Sequence, residues 1–436
     1  MQATSISIFW HRRDLRNFDN AGLYHALKEN KNVLPLFIFD STILDELEDK
    51  TDARVNFIYN EIERLKTAYE KQGSSLLVKF GKPLDVWKLL ISEFDIKAVF
   101  TNRDYEPYAQ DRDKDVYTFL QKKKIDFKGY KDHVIFEKNE ILKPDSTPYS
   151  IFTPYSRKWL EKLDAFYLKS YPTEIYFKSL FKTKPLKMLS LGEIGFKKTG
   201  IAFPGRETPL AILKKYETTR DLPAVNGTSR LSIHLRFGTI SIRQLATQAR
   251  KLNAKFFGEL IWRDFYQMIL FHYPSTVTHA FKPKYDRIKW RNNETEYDLW
   301  CQGKTGYPLV DAGMRELNTT GHMHNRVRMV VASFLTKHLL IDWRWGEAYF
   351  AKKLLDFELA SNVGGWQWAA GCGCDAAPYF RVFNPALQTK KFDPEFTYIK
   401  KWVPEFGTEK YCKPIVEHEF ARKRILEVFK NALEGS

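Results

Sequence analysis

The stretch Val33–Phe39, "VLPLFIF", is an uninterrupted apolar run. A run this short, rich in branched and aromatic side chains, predicts a β-strand that is buried on both faces. Similar runs lie around it, at Ser5–Trp10, Ser75–Phe80, Lys97–Thr101 and Lys124–Tyr130. Helical patterns separate these runs, for example at Arg54–Tyr69 and Leu84–Phe94. This alternation predicts an α/β fold with a Rossmann-like, doubly wound parallel sheet.

The composition changes after this first part of the chain. Residues Glu137–Lys187 are rich in Pro, Ser, Thr and Lys, which is typical of a connector that crosses a protein surface. From about Leu191 the apolar pattern becomes helical, at Glu207–Tyr216, Ser241–Leu252, Gly258–Phe271, Pro308–Asn318, His324–Leu340 and Trp345–Leu355. We therefore predict an α/β domain over residues 1–132, an interdomain linker over 133–190 and an all-helical domain over 191–436.

The charge balance is basic, because 69 Lys and Arg residues stand against 53 Asp and Glu, for a formal net charge of +16. Such a surface favours polyanions, DNA or RNA first, although a basic protein without such a partner is the alternative. Aromatic residues make up 15% of the chain. That much aromatic area can fill a core, and it also suits flat ligands such as flavins or bases.

Targeting signals and disulfides are not apparent in the sequence. Four cysteines are too few for a disulfide framework in a chain of 436 residues. The N-terminal segment becomes charged by His11–Arg13, after too short an apolar run for a secretory signal. No apolar run approaches the roughly 18–20 residues that a membrane span requires. We therefore predict no membrane association and a cytoplasmic, reducing location.

Two close pairs of metal-binding residue types occur, Cys372 with Cys374 and His322 with His324. Structural zinc sites combine two pairs spaced two to four residues apart, so a single close pair is weak evidence. Small buried thiols explain the cysteines better, and we predict no metal site. The "GKTG" at Gly303–Gly306 lacks the first glycine of a phosphate-binding loop, and no G-x-G-x-x-G occurs.

The segment Gly227–Ser241, "GTSRLSIHLRFGTIS", clusters hydroxyl groups and backbone donors around Arg230 near a predicted helix start. Such a cluster can cradle a diphosphate. Ordinary capping of the helix by Thr or Ser is the alternative.

Two predicted helices carry polar and aromatic residues on one face. In "GELIWRDFY", Glu259 and Trp262 are three residues apart, so a carboxylate lies beside an indole that could stack on a planar base. Arg263 is four residues from Glu259, and an ion pair within the helix is the alternative. In "HMHNRVRMVVASF", Asn325 and Met329 share a face, which could also belong to the core.

The segment "SNVGGWQWAAG" places two tryptophans one residue apart, Trp366 and Trp368. If the segment is helical, the two indoles point in directions roughly 200° apart. They would then face different cavities, although both could simply fill core.

Several long and distinct motifs are distributed along the whole chain. They are "FWHRRDLRNFDNAGL", "GTSRLS", "ELIWRDFY", "GKTGYPLVDAGMRELNTTG", "HNRVRM", "DWRWGEAYF", "NVGGWQWAAG" and "DAAPYFRVFNP". Taken together, they resemble the photolyase/cryptochrome family, and most of all the class I cyclobutane pyrimidine dimer photolyases of bacterial type. The resemblance implies a U-shaped FAD in the helical domain, reduced and anionic in its active form, and an antenna chromophore at the α/β domain.

By motif, the resemblance assigns FAD contacts to a set in which residues 228–232 take the diphosphate. The set is Tyr216, Thr228, Ser229, Arg230, Leu231, Ser232, Arg263, Arg328, Asp356, Glu358 and Asn362. It implies that Asp356 pairs with Arg328 beneath the isoalloxazine and that Asn362 approaches the flavin N5 edge. Glu358 replaces the aspartate usual in the family, and its extra methylene could shift its contact to the flavin ring.

The resemblance also implies a substrate, which is UV-damaged DNA with a flipped-out pyrimidine dimer. The dimer pocket would comprise Glu259, Trp262, Asn325, Met329 and Trp368, and the DNA contacts would be Arg220, Arg326, Arg381 and Gln388. Light would drive one electron from FAD to the dimer and back. Trp366, Trp343 and Trp300 match the chain that photoreduces the flavin from the surface.

The antenna site implied by the resemblance contains Arg54, Asp104 and Glu106. Methenyltetrahydrofolate, a deazaflavin, FMN or no chromophore are all compatible with these residues, and a surface ion pair is the structural alternative. We expect a monomer. A blue-light photoreceptor of cryptochrome type without repair activity is the rival function.

Overall fold

The computed structural model describes residues 5–376 and 378–434, and the chain forms two compact units. The sheet unit comprises Met1–Glu137, Leu163–Glu207 and Leu231–Gln248, and the helical unit comprises Lys138–Lys162, Thr208–Arg230 and Ala249–Ser436. The predicted linker, 133–190, is therefore divided between the two units. Two pieces of the predicted helical domain, 191–207 and Leu231–Gln248, belong to the sheet unit. In the second, the carbonyl of Phe237 accepts from the backbone N–H of Leu15 at 3.0 Å.

A five-stranded sheet, parallel throughout, organises the sheet unit, which confirms the predicted fold class. Its strands are β1 (Ile6–His11), β2 (Val33–Asp40), β3 (Leu77–Gly81), β4 (Ile96–Asn102) and β5 (Asp126–Tyr130), in the spatial order β3-β2-β1-β4-β5. The helices between them are α1 (Ala21–Glu29), α2 (Ser41–Leu44), α3 (Ala53–Glu70), α4 (Pro83–Glu93) and α5 (Pro107–Lys122).

The central strands explain why the apolar runs form a sheet. Every residue of β1 and β2 is buried, because helices cover both faces of a parallel sheet. Trp10 on β1 packs edge-to-face against Trp87 on α4, with ring centroids 5.7 Å apart.

Four buried charged residues join distant segments of the sheet unit. Arg16, in the loop after β1, donates to Asp132 Oδ2 at 2.6 Å. Arg243 donates to Asp19 Oδ1 at 2.9 Å and to Asp132 Oδ1 at 2.8 Å. Because a buried charge is tolerated only when it is paired, this network holds the segment Leu231–Gln248 within the sheet unit.

Helices make up most of the rest of the chain. They are α6 (Phe152–Lys162), α7 (Leu210–Thr219), α8 (Ser232–Arg236), α9 (Ile242–Leu252), α10 (Ala254–His272), α11 (Glu294–Gln302), α12 (Pro308–Thr320), α13 (Asn325–Ser333), α14 (Trp343–Lys353), α15 (Leu359–Ala370), α16 (Pro385–Phe392), α17 (Thr397–Trp402) and α18 (His418–Glu434). A π-helical turn, Phe334–His338, follows α13 directly. Within the described residues, no helix combines the length and apolar character needed to cross a membrane.

The core of the helical unit is rich in tryptophan. Trp300, Trp343 and Trp366 are all buried there, together with Met314 and Met323. This core packs α11, α12, α13, α14 and α15 against one another, so the positions of these helices depend on one apolar cluster.

Three histidines in the two units are buried and neutral. Burial lowers the pKa of His133 and of His324 to about 4 and that of His338 to about 3, from 6.5. Above pH 6.5 these rings are neutral in the folded and the unfolded chain alike. As the pH falls, the unfolded chain takes up protons first, so acid favours unfolding.

We expect the free energy of unfolding to fall by as much as about 3 kcal/mol per such histidine between about pH 7 and pH 4, measured by urea denaturation. His338→Gln should make the slope against pH shallower. The matched control, His279→Gln at an exposed histidine, should leave it unchanged. An identical slope in His338→Gln and in the unmodified protein would contradict this assignment.

Candidate active site

Two carboxylates at the start of α15 each hold an arginine. Asp356 accepts from Arg328 Nη2, on α13, at 3.0 and 3.1 Å, which is the pair implied by the resemblance. Glu358 Oε1 accepts from Arg263 Nη2, on α10, at 2.8 Å. Its second oxygen accepts from the hydroxyl of Ser361 at 3.1 Å. Arg263 therefore pairs across helices with Glu358, whereas Glu259 on its own helix pairs with Arg220.

Asn362, in the first turn of α15, is oriented by a glutamate that the sequence analysis did not single out. Its amide nitrogen donates to Glu347 Oε1 at 2.8 Å and to the Glu347 carbonyl at 3.1 Å. The amide oxygen is consequently turned away from Glu347. Burial raises the pKa of Glu347, an effect that the bond from Asn362 only partly offsets.

The two tryptophans of α15 face different surroundings, as expected for a helix. Trp366 is only 2% exposed and packs edge-to-face against Phe350 and Trp300, with centroid distances of 4.9 and 6.1 Å. Trp368 is half-buried at the edge of the core, where its ring lies 6.5 Å from that of Phe383.

The other two tryptophans of the expected electron route are buried as well. Trp343 is 1% exposed and Trp300 is 0% exposed, so the structure gives Trp300 no access to the surface. Trp290 is half-buried. The residue that follows it is hydrogen-bonded to the segment just before Trp343. The Arg291 N–H donates to the Leu340 carbonyl at 2.8 Å.

Trp262, on α10, is one wall of the expected dimer pocket. One face of its indole stacks on Phe152, with centroids 3.7 Å apart and planes 6° from parallel. Glu259, one turn earlier on the same helix, is ion-paired with Arg220. Phe152 lies in the predicted linker and was not among the predicted site residues. The aromatic-rich sequence around it, "YSIFTPYSRKW", is the feature that could have indicated a role in packing.

The first turn of α13 carries further residues of the expected pocket. Asn325 is exposed and Met329 is half-buried. Arg326 donates to Asp221 Oδ1 at 2.8 Å, and its guanidinium lies 4.3 Å from the centre of the Phe392 ring. Of the other expected DNA contacts, Arg381 is exposed and Gln388 is half-buried on α16.

The expected diphosphate loop is irregular. In the helical unit, the Thr208 hydroxyl donates to the Ser229 carbonyl at 2.7 Å, and Arg230 adopts a left-handed conformation with φ of 52°. In the sheet unit, α8 begins at Ser232 with Leu231 in the N-cap position, so Thr or Ser capping is not how this helix starts. On α7, Tyr216 packs edge-to-face on Phe256 at 5.1 Å.

The residues of the expected antenna site all lie in the sheet unit, and each is ion-paired. Arg54 pairs with Asp52 at 2.5 Å, and Asp104 and Glu106 accept from Arg13 Nη1 at 3.0 and 2.9 Å. Burial raises the pKa of Asp104, but the positive charges around it, that of Arg13 first, together outweigh burial and hold the pKa well below its usual range. The pairs of Asp104 are therefore buried, rather than on the surface.

The two cysteines of the Cys-x-Cys pair lie in the interior of the helical unit. Cys372 and Cys374 are buried free thiols, and burial raises the pKa of each to about 12. Among the described residues, no group of three or more His, Cys, Asp or Glu side chains could hold a metal ion.

Comparison with known proteins agrees with this architecture. A model described as DNA photolyase matches residues 7–174, and a model described as the FAD binding domain of DNA photolyase matches residues 256–408. A deoxyribodipyrimidine photo-lyase from Synechococcus sp. is 37% identical over 466 residues, covering 97% of this chain and 96% of that protein.

Solved structures are similar over nearly the full length. An archaeal photolyase from Sulfolobus tokodaii, with two FAD molecules, is 34% identical with a TM-score of 0.83, covering 98% of this chain and 100% of that one. A cryptochrome from Synechocystis sp. PCC6803 is 26% identical with a TM-score of 0.84 and the same coverage. The fold, the family models and the photo-lyase relatives thus define a flavin-binding enzyme. The chain belongs to the DNA photolyase family, and FAD is its cofactor.

Close packing around Trp366 makes its position testable. A Cβ added at Gly346, on α14, would lie 2.1 Å from Cη2 of the Trp366 indole. We expect Gly346→Ala to lower the free energy of unfolding by about 1–3 kcal/mol and to change the tryptophan fluorescence.

The matched control is Gly365→Ala, on α15, where the described residues leave open space around the added methyl group. It should raise stability by about 0.5–1 kcal/mol, because alanine favours a helix over glycine. Equal stability of the two variants in guanidinium denaturation would contradict this prediction, because it would show that the Trp366 indole moves aside without cost.

Proposed function

We propose that this protein repairs cyclobutane pyrimidine dimers in DNA with light. The observation that carries the proposal is the set of half-buried or exposed residues that match the family's lesion contacts: Glu259, Trp262, Asn325, Met329 and Trp368. Bound FAD, when reduced and excited by light, would supply one electron to the dimer and receive it back. The protein's own residues would bind the lesion, orient it and hold the flavin.

Trp262 and Trp368 would serve as the apolar walls for the flipped dimer. Because Phe152 covers one face of the Trp262 indole, the opposite face is the one available to a base. Stacking on an aromatic side chain contributes about 1–3 kcal/mol per base. A dimer stacks and pairs poorly in the duplex, so its extrusion costs less than that of an intact pair.

Glu259 would exchange partners when DNA binds. Without DNA its carboxylate is paired with Arg220. A pyrimidine N–H at the lesion edge could take the place of the guanidinium, and Arg220 would then be released toward a backbone phosphate. Arg326, held by Asp221 at 2.8 Å, could make the same exchange. These exchanges would couple recognition of the lesion to phosphate binding.

The arginine–carboxylate pairs would hold the flavin ring. Arg328, Asp356 and Asn362 would be among its contacts, and the amide oxygen of Asn362, turned away from Glu347, would be available to accept a hydrogen bond from it. Arg263 is buried and Arg328 is half-buried, and although each is paired with a carboxylate, their remaining guanidinium N–H donors favour an anionic ligand over a neutral one. This is the reason to expect the reduced flavin in its anionic form.

The outer end of the electron route is better explained by Trp290 than by Trp300. Only the resemblance of its motif to that of the family supports Trp300 as the outer end. Its complete burial does not suit an exchange of electrons with solvent. Trp290 is half-buried beside the segment that leads into Trp343. We propose the route Trp366, Trp343 and Trp290, with Trp300 as a packing partner of Trp366.

The remaining expectations concern partners and the antenna. UV-damaged DNA is the proposed partner, and a monomer and a cytoplasmic location stay predictions. An antenna near Arg54, Asp104 and Glu106 would have to compete with the ion pairs that these side chains already make. A cryptochrome-type photoreceptor is the second candidate, because the similarity to the Synechocystis cryptochrome means that the fold alone does not decide between the two.

The proposal is tested by illuminating the reduced protein with DNA that contains cyclobutane dimers. We expect light-dependent loss of dimers, and Trp262→Ala should weaken binding of dimer-containing DNA by about tenfold or more, since it removes a stacking wall. Trp345→Ala, at a half-buried tryptophan that packs on Tyr297, is the matched control and should bind normally. If the flavin-loaded protein leaves dimers intact under light, a photoreceptor function is favoured.

Photoreduction and repair should separate in tryptophan variants. Trp366→Phe and Trp290→Phe should slow photoreduction of oxidised flavin by about tenfold or more, yet leave repair by chemically reduced enzyme within about twofold. Trp300→Phe should photoreduce almost normally. Flash spectroscopy measures the first quantity and dimer loss the second; fast photoreduction in Trp290→Phe with slow photoreduction in Trp300→Phe would restore Trp300 as the outer end.

A further inference from the structure

Glu316, on α12, is a buried carboxylate that three donors contact. The residue is 5% exposed. Oε2 accepts from the Tyr398 hydroxyl at 2.6 Å and from the His324 backbone N–H at 3.3 Å, and Oε1 lies 3.4 Å from His322 Nδ1. Burial raises the pKa of Glu316, but the interactions with these donors, His322 first, lower the pKa by more than burial raises it. The pKa of Glu316 therefore lies below its usual value. The carboxylate is therefore ionised at neutral pH.

Two of these donors come from the turn between α12 and α13. The His324 ring caps α13, because its Nδ1 accepts from the Arg326 N–H at 3.2 Å. The carbonyl of Met323, the residue between the two donors, accepts from Arg328 Nε at 2.7 Å. The turn thus determines both where α13 begins and how the guanidinium of Arg328 is held.

The third donor links the same carboxylate to the helices that follow. Tyr398 lies at the start of α17, whose backbone N–H groups at Tyr398 and Ile399 donate to Asp393 at 3.0 Å. Asp393 directly follows α16, the helix of Phe392 and Gln388. Arg326 of α13 in turn lies over the Phe392 ring at 4.3 Å. One carboxylate therefore connects the beginning of α13 with the end of α16.

We propose that Glu316 is a positioning residue that holds the His322–His324 turn and, through it, the FAD contact Arg328 and the lesion contacts Asn325 and Met329. For the lesion contacts the inference rests on the proposed function; for Arg328 it rests only on the FAD cofactor. A charged acceptor suits this role, because hydrogen bonds to a carboxylate are shorter and roughly twice as strong as neutral ones. Without it, two backbone segments would lose their common anchor.

A second carboxyl on the same helix offers a matched comparison. Asp311 is buried and accepts from the Thr305 N–H at 2.7 Å, the Thr305 hydroxyl at 2.6 Å and the Tyr411 hydroxyl at 2.6 Å. Its environment is therefore like that of Glu316, with a tyrosine and a backbone donor. Its partners lie near the opposite, N-terminal end of α12: Thr305 just precedes the helix, and Tyr411 comes from the chain after α17. A loss of stability alone should appear in Asp311 variants as well, whereas a loss of positioning should not.

The test compares Glu316→Ala, Glu316→Gln and Asp311→Ala in the FAD-loaded full-length protein. Two quantities are measured: the rate of FAD release, from flavin fluorescence, and the ratio of affinities for dimer-containing and undamaged DNA. For Glu316→Ala we expect FAD release about tenfold faster and the affinity ratio lowered about tenfold. Affinity for undamaged DNA should change less than about threefold, because phosphate contacts dominate it.

Rescue by the conservative variant separates positioning from bulk stability. The amide oxygen of Glu316→Gln can still accept from Tyr398 and from the His324 N–H, so both quantities should return to within about threefold of the unmodified protein. Tyr398→Phe removes only one donor, so its FAD release rate and affinity ratio should lie between those of Glu316→Ala and Glu316→Gln. This variant also tests the inference if Glu316→Ala fails to fold. Asp311→Ala should lower the melting temperature while leaving both quantities within about twofold.

Three results would overturn the inference. One is Glu316→Ala with normal FAD release and a normal affinity ratio. A second is Glu316→Gln that is as impaired as Glu316→Ala. A third is Asp311→Ala that changes both quantities as much as Glu316→Ala does. If the unmodified protein itself does not distinguish dimer-containing DNA, the proposed function fails. The effect of Glu316 on FAD release through Arg328 still decides the inference in that case.

Discussion

The site depends on two carboxylates, the buried Glu358 and the half-buried Asp356, each of which has a cationic partner. Removing an ion from water costs several kcal/mol, and the cost is offset only where an opposite charge and hydrogen bonds replace the solvent. Arg328 and Arg263 supply both. The two pairs tie α13 and α10 to the start of α15, and the same helix carries Asn362, Trp366 and Trp368. Residues distant in sequence are thus held at one site by the requirement that no buried charge is left alone.

The same requirement organises the rest of the chain. In the sheet unit, Arg16 and Arg243 neutralise Asp132 and so bind a late segment to the first strands. In the helical unit, Arg220 and Arg326 rest on Glu259 and Asp221. These pairs leave arginines pre-oriented yet exchangeable, because a partly exposed ion pair contributes little stability and can open at small cost. A protein with a net charge of +16 can in this way hold basic side chains ready for a polyanion without strong repulsion among them.

Much of the fold could be predicted from periodicity, and much of the site could not. The strand at Val33–Phe39 and the helix of Trp366 follow from side-chain patterns that depend only on neighbours in sequence. The ion-pair partner of Arg263 does not follow from such patterns. Glu259 and Glu358 are equally suitable carboxylates, and only tertiary packing brings Arg263 to Glu358. The burial of Trp300 is a similar case, because the indole is indistinguishable from that of Trp290 in sequence. Phe152 lay in what composition indicated to be a linker, yet its ring covers Trp262.

The sequence by itself determined the parallel sheet, the helical second part, the family and the residue types at the proposed flavin and lesion positions. These properties are encoded locally, in apolar periodicity and in motifs of consecutive residues. Only the tertiary structure decided which charges pair, which tryptophans reach the surface, and that Glu316 joins α12, the turn before α13 and α17. The physical reason is that ion pairs and burial depend on contacts between residues far apart along the chain. The energies of such contacts are set by the shared, water-poor surroundings that folding creates.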